Sequence, residues 1–60
     1  MNKTYQRRWK DGPEDDWRDI DELTMRDKLR NAYIDVDSVV RAIDDGQMAQ
    51  TPTAHFRAID

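Results

Sequence analysis

The chain has 60 residues, of which 38% are charged, with a net charge of −3 and no cysteine. Sixty residues make one small domain, whose thin core leaves no room for a ligand pocket of ordinary size. The missing cysteines exclude disulfides and thiolate zinc sites, so we expect a partner or a second copy of the chain to supply stability instead.

The distribution of apolar and charged residues indicates the localisation of the protein and the charge of its segments. No apolar run approaches the roughly 18 residues that span a bilayer, and residues 1–10 lack the apolar stretch of a secretory signal. We therefore expect a cytoplasmic protein with no membrane partner. Residues 1–10 carry a local charge of +4, whereas residues 11–23 sum to −6. A basic segment leads directly into an acidic segment.

The first two segments of the chain differ in their pattern. Residues 1–12 show neither a helical nor a strand period, and we predict a basic, aromatic N-terminal arm that orders on contact. Pro13 suits the first position of a helix, because its missing N–H would have no partner there. The acidic residues that follow suit the positive end of a helix dipole. We predict a short acidic helix over residues 13–22.

The strongest pattern is an apolar stripe over residues 24–45. Its members recur at spacings of four and three, which indicates one long amphipathic helix. Thr24 is a candidate cap at its start, and Gly46 can take the left-handed conformation that ends a helix. We predict that the stripe is the interface of a helical homo-oligomer, although neighbouring short helices could instead cover it within one chain. The predicted interface residues are Met25, Leu29, Ala32, Tyr33, Val36, Val39, Val40 and Ile43.

A pattern near the end of the chain repeats the one that predicts the start of the first helix. Thr51 and Pro52 form a cap-then-proline pair, and we predict a short C-terminal helix over residues 52–59. The three predicted helices give an all-α fold, with residues 13–60 as a single small helical domain behind the arm.

Charged and aromatic residues near the N-terminus are the candidates for partner binding. Residues 5–10 alternate aromatics with cations, as in proteins that bind single-stranded nucleic acid. The same residue types dominate protein binding hot spots. A third interpretation pairs these cations with the acidic segment, which is itself either a mimic of nucleic-acid phosphates or only a solvated helix start. The candidates are Tyr5, Arg7, Arg8, Trp9, Lys10, Asp15, Asp16 and Trp17.

Catalysis has little support in the sequence. His55 is the only histidine and Ser38 the only serine, and no catalytic residue, metal site or cofactor is predicted. We expect a small non-enzymatic protein that self-associates and binds a protein target as an inhibitor, adaptor or regulatory subunit, like compact accessory proteins of bacteria and phages. Two alternatives stay open: a nucleic-acid-binding regulator that uses the basic arm, and a structural subunit of a larger assembly such as a virion.

Overall fold

The computed structural model describes residues 3–60 and has a mixed α/β fold, so the predicted all-α fold is wrong. The elements are β1 (Thr4–Trp9), β2 (Arg18–Ile20), α1 (Glu22–Leu29), α2 (Val36–Asp44), β3 (Ala49–Gln50) and β4 (Ala54–Ile59). The strands form one antiparallel sheet in the order β2-β1-β4-β3. Both helices pack against the same face of this sheet.

Strand β1 occupies half of the segment over residues 1–12 that was predicted as an arm, of which residues 1–2 lie outside the described part of the chain. β1 pairs with β4 along its full length, from Thr4 opposite Ile59 to Trp9 opposite Ala54. The basic segment is therefore a central strand with β2 on its other side. Its strand period is hidden in the sequence because cations occupy both faces of the strand.

The predicted helix over residues 13–22 is wrong. The first half of this segment is the loop before β2, with a turn in which the Asp16 N–H donates to the Pro13 carbonyl oxygen at 3.2 Å. The chain then enters β2, where Ile20 lies opposite Tyr5. A short helix is marginal without extensive packing, whereas pairing with β1 satisfies the backbone of β2 directly.

The predicted helix over residues 24–45 is in fact two helices, which a turn separates. Helix α1 starts earlier than predicted because Asp21 caps it, accepting from the Thr24 N–H at 3.0 Å. Asp35 caps α2 in the same way, through the Ser38 N–H at 3.2 Å. A side chain that accepts from a backbone N–H three residues later favours the start of a new helix over continuation of the old one.

The end of α2 confirms the prediction for Gly46. This residue has a φ of 96° in the left-handed region. Its N–H donates to the Ile43 carbonyl oxygen at 3.0 Å, and the Gln47 N–H donates to the Ala42 carbonyl oxygen at 3.0 Å. These two bonds form a Schellman cap, whose left-handed position glycine occupies without steric cost.

The predicted C-terminal helix over residues 52–59 is also wrong, because most of this segment is β4. Phe56 is fully buried, while its neighbours His55 and Arg57 are half-exposed. Burial thus alternates with the period of two that a strand imposes. The cap-then-proline pair before it forms a turn instead of a helix start.

The apolar stripe of α1 and α2 closes a core within one chain. The buried residues are Met25, Leu29, Val40, Ile43, Ala49, Ala54 and Phe56. Of the remaining predicted interface residues, Tyr33, Val36 and Val39 pack at the margin of this core, and Ala32 is exposed. Met25, Leu29, Val40 and Ile43 therefore belong to the core of one chain and are not the exposed stripe of an all-helical oligomer. Self-association of the chain stays a prediction.

The two edge strands of the sheet, β3 and β2, differ in the hydrogen bonding of their outer backbone groups. At β3, the Tyr33 hydroxyl donates to the Gln50 carbonyl oxygen at 2.6 Å and accepts from the Gln50 N–H at 3.3 Å. One side chain thus satisfies both backbone groups that an added strand would use there. At the opposite edge, β2 pairs with β1 alone.

Candidate functional site: the open face of the sheet

The face of the sheet opposite the helices carries a continuous polar surface, which we call the open face. Residues that lie directly opposite each other on paired strands point to the same side. The register therefore places on one side a row that crosses the whole sheet. With Trp17, which directly precedes β2, the open face consists of Thr4, Gln6, Arg8, Trp17, Asp19, Gln50, His55, Arg57 and Ile59.

Hydrogen bonds fix the middle of the open face. The Arg57 guanidinium donates to the Gln6 side-chain oxygen from Nε at 3.0 Å and from Nη2 at 2.8 Å. Gln6 in turn donates from Nε2 to Asp19 Oδ1 at 3.0 Å. These hydrogen bonds link side chains of three strands, and they hold the Arg57 guanidinium in one position.

The Trp17 ring lies within reach of two guanidinium groups, one from β1 and one from β4. Arg57 Cζ is 4.1 Å from the ring centroid, and Arg8 Cζ is 5.6 Å from it. Guanidinium groups at these distances are attracted to the face of an indole. The loop between β1 and β2 therefore contributes its tryptophan to the open face, and the two arginines hold the ring against the sheet.

Neither arginine of the open face has a carboxylate partner in the described part of the chain, whereas Lys3, Arg18 and Arg26 each have at least one. Arg26 contacts Asp37 Oδ1 at 2.6 Å and Glu22 Oε2 at 2.9 Å, which lowers the pKa of the Asp37 carboxyl and raises that of Arg26. Within residues 3–60, neither Arg8 nor Arg57 has a carboxylate oxygen within 4.0 Å. Their charges are therefore available to an outside group.

His55 lies opposite Arg8 on one side and opposite Gln50 on the other. Its Nδ1 atom is buried and has no hydrogen-bond partner in the described part of the chain. The imidazole thus extends the row of planar side chains from Trp17 across the sheet toward β3.

A second feature is a small cleft beside the exposed Trp9, at one end of the covered face. Trp9 is 47% exposed, and the Arg7 guanidinium lies over its ring at 4.1 Å from the centroid. The cleft has a volume of about 250 Å³. Its lining residues are Trp9, Lys28, Asn31, Thr51, Pro52, Thr53, Ala54 and Phe56.

A wider, shallower depression lies near Tyr5, and three of its seven lining residues are acidic: Asp21, Glu22 and Asp44. The Tyr5 hydroxyl donates to Asp44 Oδ1 at 2.8 Å. Burial, followed by this hydrogen bond and the nearby negative charge of Asp44, raises the pKa of Tyr5 to about 12. Lys3 contacts both the Asp44 carbonyl oxygen and the Asp60 carboxylate. The phenol is therefore a structural donor that ties β1 to α2.

The predicted partner-binding residues separate onto different surfaces. Arg8 and Trp17 meet on the open face. Tyr5, Arg7 and Trp9 point to the covered side, because they lie opposite residues of the core face. Lys10, Asp15 and Asp16 belong to the loop between β1 and β2, where Asp16 pairs with Arg18 at 3.3 Å. The basic segment is therefore not one surface.

The sequence analysis missed seven of the nine residues of the open face, among them Gln6, Gln50, His55 and Arg57. The signal for His55 and Arg57 was the alternation of buried and polar residues in β4, which a helical interpretation of residues 52–59 hid. Pairing between β1 and β4, which are about fifty residues apart, brings them to Arg8 and Trp17. No local pattern reveals a contact of that range.

Two further observations concern the described residues as a whole. Residues 3–60 contain no cluster of three or more His, Cys, Asp or Glu side chains placed to hold a metal ion. Neither helix in that range has the length and apolarity needed to cross a bilayer.

No protein-family model, curated protein or solved structure matches the chain.

Proposed function

We propose that this chain is a small non-enzymatic binding protein whose open face docks onto a negatively charged macromolecule. One observation carries the proposal: the guanidinium groups of Arg8 and Arg57 lie beside Trp17 on a sheet face that no described helix covers, and neither has a carboxylate partner. Paired cations on a rigid surface attract an opposite charge and align it.

The position of Arg8 and Arg57 on strands supports a binding role. Groups on paired strands are held more firmly than groups on loops, so a partner meets a preformed surface. The hydrogen bonds from Arg57 to Gln6 add to this preorganisation. Binding to a preformed surface avoids the entropy cost of ordering the site. An adaptor, an inhibitor or a regulatory subunit would use such a surface.

The arrangement of possible nucleophile and base supports a non-enzymatic role. Ser38 is exposed in the first turn of α2, on the covered side of the sheet. His55 lies on the open face, with the sheet between the two side chains. General base activation of a serine needs a hydrogen bond or a single bridging water between the two groups.

The test is an NMR titration with two anionic probes, a polyglutamate peptide and a short single-stranded oligonucleotide, at low salt. We expect at least one probe to shift the amide signals of Gln6, Arg8, His55 and Arg57. The Arg8→Gln variant should weaken that binding, because it removes a charge that has no ion pair within residues 3–60. Arg30→Gln is the matched control, since Arg30 is an exposed cation at the end of α1. Binding of neither probe would refute the proposal.

The Trp9 cleft supports a second candidate, a protein target that inserts an apolar side chain next to a carboxylate. Trp9 and Arg7 are residue types that dominate binding hot spots. Lys28 lines the cleft and has no carboxylate within 4.0 Å in the described range, so its charge complements such a partner. A volume of about 250 Å³ suits one side chain rather than a whole ligand.

N-acetylphenylalanine is the probe for this second candidate, since it carries a ring and a carboxylate. In a Trp17→Phe background, its binding should change the fluorescence of Trp9, and Lys28→Gln should reduce the affinity. An unchanged Trp9 signal at millimolar probe would reject the cleft as a docking site.

A further inference from the structure

We infer that the macromolecule on the open face is a single-stranded nucleic acid, with Arg8 on a phosphate and the planar side chains of the face stacked on unpaired bases. This inference rests on the proposed function, because it names the partner of the same surface. It differs from the prediction of a nucleic-acid-binding arm, since the basic segment itself is divided between the two sides of the sheet.

The composition of the open face favours nucleic acid over an acidic protein. Only Ile59, at the end of β4, is a large aliphatic residue on this face. The centre of a protein interface is apolar and poor in charged residues. Interfaces with nucleic acid are polar and positively charged instead. Arginine, glutamine, histidine and tryptophan make up most of the centre, and Asp19, the carboxylate of the face, accepts from Gln6, so the centre matches the second description.

The phosphate contact is assigned to Arg8. Within residues 3–60 its guanidinium makes no ion pair, and Trp17 is its contact on the face. Arg57 uses Nε and Nη2 for Gln6, which leaves Nη1 for an outside acceptor. A guanidinium presents its donors in a planar fork that matches two oxygens of one phosphate. Two cations give a short phosphate-binding site.

Planar side chains supply the contacts to bases. Arg57 already stacks on Trp17 at 4.1 Å, and guanidinium planes and aromatic rings both stack with bases. The imidazole of His55 lies further along the same row. Base faces are accessible only when bases are unpaired, because a duplex stacks them against each other. The site therefore selects single strands over duplexes.

The acidic loop limits the size of this site. Asp11, Glu14 and Asp15 are exposed in the loop between β1 and β2. Their charges repel phosphates that leave the sheet in that direction, so the bound strand contacts few cations. The affinity of single strands depends on salt with a log–log slope of about −0.7 per phosphate neutralised. Two arginines predict a slope of about −1.4.

The experiment measures binding of labelled oligouridylate and oligothymidylate by fluorescence anisotropy over a range of salt. A duplex of the same length and a polyglutamate peptide serve as comparison ligands. We expect the single strands to bind best, with quenching of Trp17 in a Trp9→Phe background. Trp17→Ala should weaken binding about ten-fold, while Trp17→Phe should retain most of the affinity. Arg8→Gln should reduce the salt slope by about 0.7, and Arg30→Gln should leave the slope unchanged. Circular dichroism of each variant verifies that it remains folded.

The outcomes separate this inference from the proposed function. One outcome is that polyglutamate binds the open face, with lower affinity for the Arg8→Gln variant, while single strands do not bind. This outcome refutes nucleic acid as the partner and leaves the proposed binding function standing. If no anion binds, both fail. If the duplex binds as tightly as the single strand, or if Trp17→Ala binds normally, stacking on bases is refuted. Quenching of Trp17 by single strands together with the reduced slope supports the inference.

Discussion

The two faces of the sheet are built from the same strands but depend on different interactions. On the covered face, Phe56 and Ala54 are buried under α1 and α2 with no polar group among the core residues. On the open face, the next residues of the same strand, His55 and Arg57, remain half-exposed among polar neighbours. The covered face is held by apolar burial, whereas the open face is held by hydrogen bonds and ring contacts.

This difference explains how so short a chain can combine stability with a binding surface. A strand delivers successive side chains to opposite sides, so each residue of β4 serves either the core or the surface. Substitutions on one face should therefore leave the other largely intact.

The largest effect is expected from Phe56→Ala on the covered face. Phe56 is fully buried at the centre of the core, and its truncation should cost about 3–5 kcal/mol of the free energy of unfolding. The neighbouring His55→Ala on the open face should change that free energy by about 0.5 kcal/mol or less. Urea denaturation followed by circular dichroism measures both. Equal losses in the two variants would contradict the separation of the faces.

Trp17→Ala should have an intermediate effect on stability. Two guanidiniums contact this ring, and a partly exposed contact of this kind contributes about 1 kcal/mol. Trp17→Phe keeps a smaller ring and should lose less. The same denaturation experiment gives the values. A loss as large as that of Phe56→Ala would mean that the open face is part of the core.

Alkaline pH should weaken the covered face through Tyr5. The pKa of its hydroxyl rises to about 12 from the ordinary 10.0, so the folded chain keeps its proton longer than the unfolded chain. The contribution is complete below pH 10 and is lost as the pH rises through about 12. Tyr5→Phe should therefore flatten this part of the stability profile. Identical alkaline slopes for both proteins would refute the assignment.

Acid should affect the cap of α1 and change the stability least. Hydrogen bonds from the Thr24 hydroxyl at 2.7 Å and the Thr24 N–H hold the pKa of Asp21 below the ordinary 3.8. Its contribution is present above that ordinary value and is lost as the pH falls through the lowered pKa. Asp21→Asn keeps an acceptor that does not titrate, so its acid slope should be shallower. Thr24→Val, which removes the hydroxyl donor, should change the slope in the same direction, and no change in either variant would contradict the cap.

The apolar stripe was predicted as an oligomer interface, and four of its eight residues are instead buried in the core of one chain. Met25, Leu29 and Ile43 do share one apolar surface, because helical spacing is a local property. The turn that separates α1 from α2 was missed because heptad spacing continues across it. Asp35, three residues before Ser38, carried the signal of a second helix start. The left-handed conformation of Gly46 at the end of α2 was predicted because such a backbone conformation strongly favours glycine.

The open face was less accessible to sequence reasoning. Arg8 and Trp17 were candidates because of their residue types, but nothing in the chain order joins them to Arg57. The strand period of β1 is masked because the aliphatic part of an arginine, here Arg7, can occupy a position on the apolar side. Short strands paired over long separations leave a weak local pattern, so the sheet itself was missed.

The hydroxyl of Tyr33 determines how many neighbours the sheet can accept. Because it occupies the backbone groups of Gln50, the β3 edge is closed and only β2 can pair with a further strand. A protein whose sheet has two open edges can polymerise through them. A protein whose sheet has one open edge can pair with only one copy of itself in this way. Edge-to-edge association of this protein would therefore end at two chains.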